Sequence, residues 1–104
     1  MQGVAITDDA APSFRTGRAT VGASAAQITA TATPLTRGVE IHTSIANSGT
    51  IYIGNSSAVT ADGADATDGY PLDGGKDTFI PINDLAKLWI IGSAISQKFW
   101  WKAI

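Results

Sequence analysis

Cysteine is missing from this 104-residue chain. That excludes disulfide staples, thiol catalysis and zinc held by thiolates, and it fits a reducing compartment. Histidine occurs once, at His42, and a catalytic triad cannot be argued from one histidine. Charge is scarce: 15% of residues are charged, against about 25% in ordinary domains. The net charge is −2, with a pI near 5.0. There is no basic field to draw a nucleic-acid backbone, and no block of like charge. Long apolar runs are missing too. Stretches such as residues 88–91 fall far short of the roughly 20 residues that span a bilayer. The first residues lack a charged head followed by an apolar run, so no signal peptide is expected and synthesis is placed in the cytosol.

What fills the chain instead is Ala, Thr, Ser and Gly, with 44% hydrophobic residues. This length suits one domain, burying roughly two thirds of the surface of its unfolded chain. A surface so poor in charge suits packing against other protein.

Residues 1–16 show no periodicity. They read either as a frayed end or as an extended N-terminal arm that orders on a partner, with Phe14, Arg15 and Arg18 as anchors. The domain proper is expected over residues 17–104. Residues 18–21 and 27–33 read as strands, the second from its period-two run of Thr, and Pro34 ends it. Residues 38–46 give the cleanest alternation. Val39, Ile41, Thr43 and Ile45 are expected to point one way, Glu40, His42 and Ser44 the other. Asn47, Ser48 and Gly49 suit a tight reversal, and residues 50–54 read as the returning strand of a hairpin. A short strand is expected at 57–60 and a loop over 61–76, with Tyr70, Pro71 and Leu72 folding back over the core. Further strands fall at 78–82, 88–92 and 97–103, with one helical turn beginning near Asn83. Short strands at this spacing predict an all-β fold, a single antiparallel β-sandwich or jelly-roll-like barrel.

Few residues suggest chemistry. His42 and Glu40 share a strand face and read as a solvated polar face rather than an acid–base pair. Asp62, Asp65, Asp68 and Asp73 lie in the loop, but their spacing lacks the alternate acidic positions and closing glutamate of an EF-hand. No metal or cofactor is expected. Gly74, Gly75 and Lys76 lack the earlier glycine and the following helix of a phosphate loop. An enzyme is not expected. The aromatic residues carry more weight. Phe99 and Trp101 should share one face with Ala103, while Trp100 joins Lys98 and Lys102 on the other. Trp100 reads as the edge of the core or, if exposed, as a subunit contact or a platform that stacks on a sugar or base. Tyr70, Trp89 and Trp100 are the candidate subunit-interface residues.

Residues 38–104 run through Asn47-Ser48-Gly49-Thr50-Ile51-Tyr52-Ile53-Gly54, Gly69-Tyr70-Pro71-Leu72, Asp84-Leu85 and Gln97-Lys98-Phe99-Trp100-Trp101. This texture resembles small β-sandwich virion structural proteins of tailed bacteriophages, most of all capsid decoration, or cement, proteins. Ser96 departs from the pattern, which often has a glycine ahead of the position of Gln97. The resemblance implies a protein of the capsid surface, made in the host cytoplasm, that clamps the major capsid protein, usually as a homotrimer and often with a terminal arm. It implies no nucleic-acid or membrane partner. Another virion part (head fibre, tail or baseplate domain) or a carbohydrate-binding β module would be built from similar residues.

Overall fold

The computed structural model describes residues 14–63 and 68–104. The described residues form eight strands: β1 (Arg15–Val21), β2 (Ala26–Gln27), β3 (Val39–Thr43), β4 (Ile51–Gly54), β5 (Tyr70–Leu72), β6 (Asp77–Ile80), β7 (Trp89–Gly92) and β8 (Gln97–Ala103). A 3-10 turn, Leu85–Lys87, precedes β7. Two antiparallel sheets result, ordered β1-β8-β3-β6 and β2-β7-β4-β5. First pairs with last, second with seventh, third with sixth and fourth with fifth. This is the order obtained by rolling one long antiparallel ribbon into a sandwich, the jelly roll.

Alternation along each strand sorts its side chains between core and exterior. From the first sheet Val21, Val39, Ile41, Phe99 and Ala103 enter the core; from the second, Ile51, Ile53, Leu72 and Ile90 do. Leu35, Leu85 and Leu88 close it from the connections. Each large side chain fully buried this way contributes about 1.5–3 kcal/mol.

Several local expectations are corrected. The segment 47–49 is not a hairpin turn, because β3 and β4 belong to different sheets. It is an arch across the end of the sandwich. The Asn47 side chain donates to the Lys98 carbonyl at 2.9 Å and accepts the Lys98 N–H at 2.8 Å, which fastens the arch to β8. Ile45 does not continue the buried face of β3; it lies outside the strand and is 87% exposed. The chain turns there because the Ser44 hydroxyl accepts the Ala46 N–H and the Ser44 carbonyl accepts the Asn47 N–H. The strand expected at 27–33 shrinks to Ala26–Gln27. Its threonines satisfy their own backbone instead: the Thr29 hydroxyl accepts the Thr31 N–H, and the Thr33 hydroxyl donates to the Thr31 carbonyl, the usual competition with a ladder. Residues 57–60 form only an isolated bridge, Thr60 to Asp68. Finally, β1 starts at Arg15, so Arg15 and Thr16 lie in the sheet rather than in an arm; residues 1–13 of that arm lie outside the described residues.

Both ends of the sandwich carry a polar clasp. At one end Gln97, only 1% exposed, accepts the Gly49 N–H at 2.8 Å and donates to the Ile95 carbonyl at 2.8 Å and the Ser48 hydroxyl at 3.2 Å. At the other end the Asp84 carboxylate accepts the backbone N–H groups of Thr33 and Ala86 at 2.8 and 2.9 Å. These two hydrogen bonds favour the ionised form and hold the Asp84 pKa below its ordinary value.

Two stability outcomes follow from the Gln97 end. Gln97→Ala strands a backbone donor and empties a packed site, and is expected to cost about 2–4 kcal/mol in urea denaturation. Ser96 has φ 60, the left-handed region that glycine enters freely and other residues enter at a cost. Ser96→Gly is therefore expected to raise stability, by up to about 1 kcal/mol in the same assay.

Candidate interaction surfaces

The exterior of the first sheet is built by the outward positions of its four strands. The register sets Arg18 of β1 opposite Trp100 of β8, Trp100 opposite His42 of β3, and His42 opposite Asp77 of β6. The neighbouring row is Thr16, Lys102, Glu40 and Phe79. Trp100 is 42% exposed. Its ring centroid lies 6.0 Å from that of His42, with the planes tilted by 40°. Lys102 Nζ and Glu40 Oε1 form an ion pair at 3.2 Å; at this exposure it is worth at most about 1 kcal/mol. Beneath this face Gly17 opposes Trp101. A Cβ at Gly17 would meet the Trp101 indole at 2.6 Å, so the glycine lets the ring lie flat against β1. A shallow depression of about 610 Å³ runs along the face, touching Arg18, Glu40, His42, Trp100 and Lys102.

The second surface is a groove where the two sheets part. β5 and β6 are edge strands of opposite sheets, and the space between them, about 760 Å³, is open to solvent. Ile53, Val59, Tyr70, Ile80, Ile82 and Leu88 line it, with Phe79 and Pro81 alongside. Tyr70 lies opposite Ile53 in the ladder and so shares its inward side. It sits beyond the end of the core, however, and remains 62% exposed; Phe79 is 47% exposed. The carboxylate in its lining is engaged internally: Asp68 accepts the Thr60 hydroxyl at 2.7 Å and the Asp62 N–H at 3.2 Å.

The residues singled out from the sequence do not form one site. Phe14, 62% exposed, immediately precedes β1. Arg15 donates to the Pro34 carbonyl at 3.2 Å, on the β2–β3 connection. Arg18 joins Trp100 on the first sheet, Tyr70 belongs to the groove, and Trp89 is half-buried in the second sheet opposite Gln27 and Gly54. His42 and Glu40 do share the outer face. Among the described residues no three His, Cys, Asp or Glu side chains gather as a metal site would need. No helix of the described residues is long and apolar enough to cross a membrane. Sequence reasoning passed over Phe79 as an exposed residue and Ile82 as part of the groove wall. The signal was present in the apolar residues on both sides of Pro81, a residue that favours an edge strand.

No protein family, no curated protein and no solved structure matches this chain.

Proposed function

We propose that this chain is a capsid decoration protein of a tailed bacteriophage, which binds the assembled major capsid lattice as a homotrimer and stabilises the head. The observation that carries the reading is the groove between β5 and β6. Tyr70 and Phe79 stand exposed beside an apolar cleft, on a domain whose charge is otherwise sparse. Exposed aromatic groups next to apolar cavities are the chemistry of protein contact. The resemblance of residues 38–104 to decoration proteins supplies the partner. Phe14, Arg15 and Arg18, at and just after the start of β1, are further candidate contacts with the shell, and Trp89 with a neighbouring subunit.

In this reading the protein performs no chemical step. It binds the assembled shell and not its separated subunits, so each occupied site lowers the free energy of the assembled state by mass action. Repetition over the lattice turns a modest interface into mechanical strength. The protein resides on the virion surface and passes through the host cytoplasm during assembly. A head-fibre, tail or baseplate role would use the same contact chemistry with a different partner.

The test is co-sedimentation with head shells assembled from the cognate major capsid protein. Saturable binding is expected, weakened about tenfold or more in the Tyr70→Ser, Phe79→Ser double variant. Both side chains are exposed, so that variant should keep its stability to within about 1 kcal/mol. A wild-type protein that stays in the supernatant at every shell concentration would remove the decoration role.

A further inference from the structure

We infer that the outer face of the β1-β8-β3-β6 sheet is a carbohydrate-binding site centred on Trp100. This does not rest on the shell-binding reading, which the Tyr70 groove carries; Trp100, His42, Glu40 and Lys102 do not line that groove, and only Arg18 and Phe79, at the two margins of this face, are candidates for the shell as well.

Trp100 stands on the flat part of a four-stranded sheet, held on both sides by ladders to β1 and β3. Its exposed indole is a rigid apolar plane, and placing a ligand on it costs little side-chain entropy. The plane is ringed by polar and charged groups. Arg18 and His42 flank it within its own row, with Asp77 beyond His42. Glu40 and Lys102 lie in the next row, already ordered by their ion pair, and Lys98 is the preceding outward residue of β8.

That setting discriminates between ligands. The centres of protein interfaces are depleted of charged residues, yet here Arg18, Lys98, Lys102 and Glu40 lie next to one aromatic ring, with Asp77 one strand further on. The apolar Tyr70 groove has the character of a protein contact; this face does not. A nucleic-acid strand would also stack on Trp100, but Glu40 and Asp77 would repel its phosphates, and the chain as a whole is acidic. A sugar meets neither objection. Its ring offers an apolar C–H face to the indole, while its rim of hydroxyls both donates and accepts. Arg18 and Lys102 supply donors, Glu40 and Asp77 acceptors, and His42 either. Adjacent strands are about 4.8 Å apart, so the row from Arg18 to Asp77 spans roughly 14 Å. That is the reach of a short oligosaccharide lying across the strands, seated over β1, β8 and β3 in the shallow depression of about 610 Å³ and extending past it toward Asp77 on β6, not of a single sugar in a closed pocket. The ligand class is thus a neutral oligosaccharide, bound open to solvent and with modest affinity.

The test is titration of the full ¹⁵N-labelled chain with maltotriose, cellotriose, mannotriose and N-acetylchitotriose, following the indole N–H of Trp100. At least one sugar is expected to give saturable shifts, at millimolar or tighter Kd, confined to Trp100, His42, Arg18 and their strand neighbours. Trp100→Ala should weaken that binding roughly tenfold or more while the resonances of the Tyr70 groove stay in place. Asp77→Ala, a change at an exposed edge position, should weaken it without removing the platform. The inference is overturned if none of these sugars shifts this face, if Trp100→Ala binds as well as the parent, or if a single-stranded oligonucleotide binds here more tightly than any sugar. Loss of sugar binding in Trp100→Ala with shell binding intact would separate the two proposals.

Discussion

The buried amide of Gln97 is the contact on which much of this architecture turns. Apart from β4 and β5, consecutive strands of the roll lie in opposite sheets, so the chain must cross repeatedly over the ends of the sandwich. Each crossing exposes backbone groups that no ladder can satisfy. Gln97 meets that demand at one end, joining the 48–49 arch to the turn at Ile95 through three hydrogen bonds, while Asn47 secures the same arch to β8. Asp84 performs the corresponding task at the far end, where it gathers the backbone of Thr33 and of the 3-10 turn. Side chains that elsewhere would be free for chemistry are committed to holding the fold.

That commitment places the interacting groups on the sheets rather than at their ends. A face and an edge remain, and they differ in kind. The face around Trp100 mixes one aromatic plane with charges of both signs. The edge groove around Tyr70 and Phe79 is apolar and opens where the two sheets part. A chain with so few charged residues nevertheless has Arg18, Glu40, Asp77, Lys98 and Lys102 on one face. The contrast supports distinct partners for the two surfaces: protein at the groove and carbohydrate at the face.

The division between what the sequence reveals and what it conceals has a physical basis. Val39 to Thr43 and Gln97 to Ala103 alternate cleanly, and the structure buries and exposes their side chains accordingly. That Trp100 faces away from Phe99 and Trp101 was therefore legible, as was the polar face of Glu40 and His42, but which face of β8 meets solvent was not. Sheet membership was not, because Asn47-Ser48-Gly49 is equally good chemistry for a hairpin and for an arch; the distant partner, Gln97, decides. The threonines of 29–33 have β-branched side chains, but their hydroxyls found backbone partners close by, and local propensity lost to local hydrogen bonding. The Tyr70 groove was invisible for a third reason. It belongs to no single segment and exists only where β5 and β6 become edges of opposite sheets. Ser96, a departure from the pattern of the resembling proteins, does have a structural correlate in its left-handed backbone.

The central claim is that this sandwich works by contact with other protein as a threefold assembly, and the most direct measurement is its solution mass by light scattering coupled to gel filtration. The account predicts a species of three times the 10.7 kDa chain mass, reverting to smaller species when subunit-contact residues such as Trp89 are substituted. A monodisperse monomer at high micromolar concentration would contradict it.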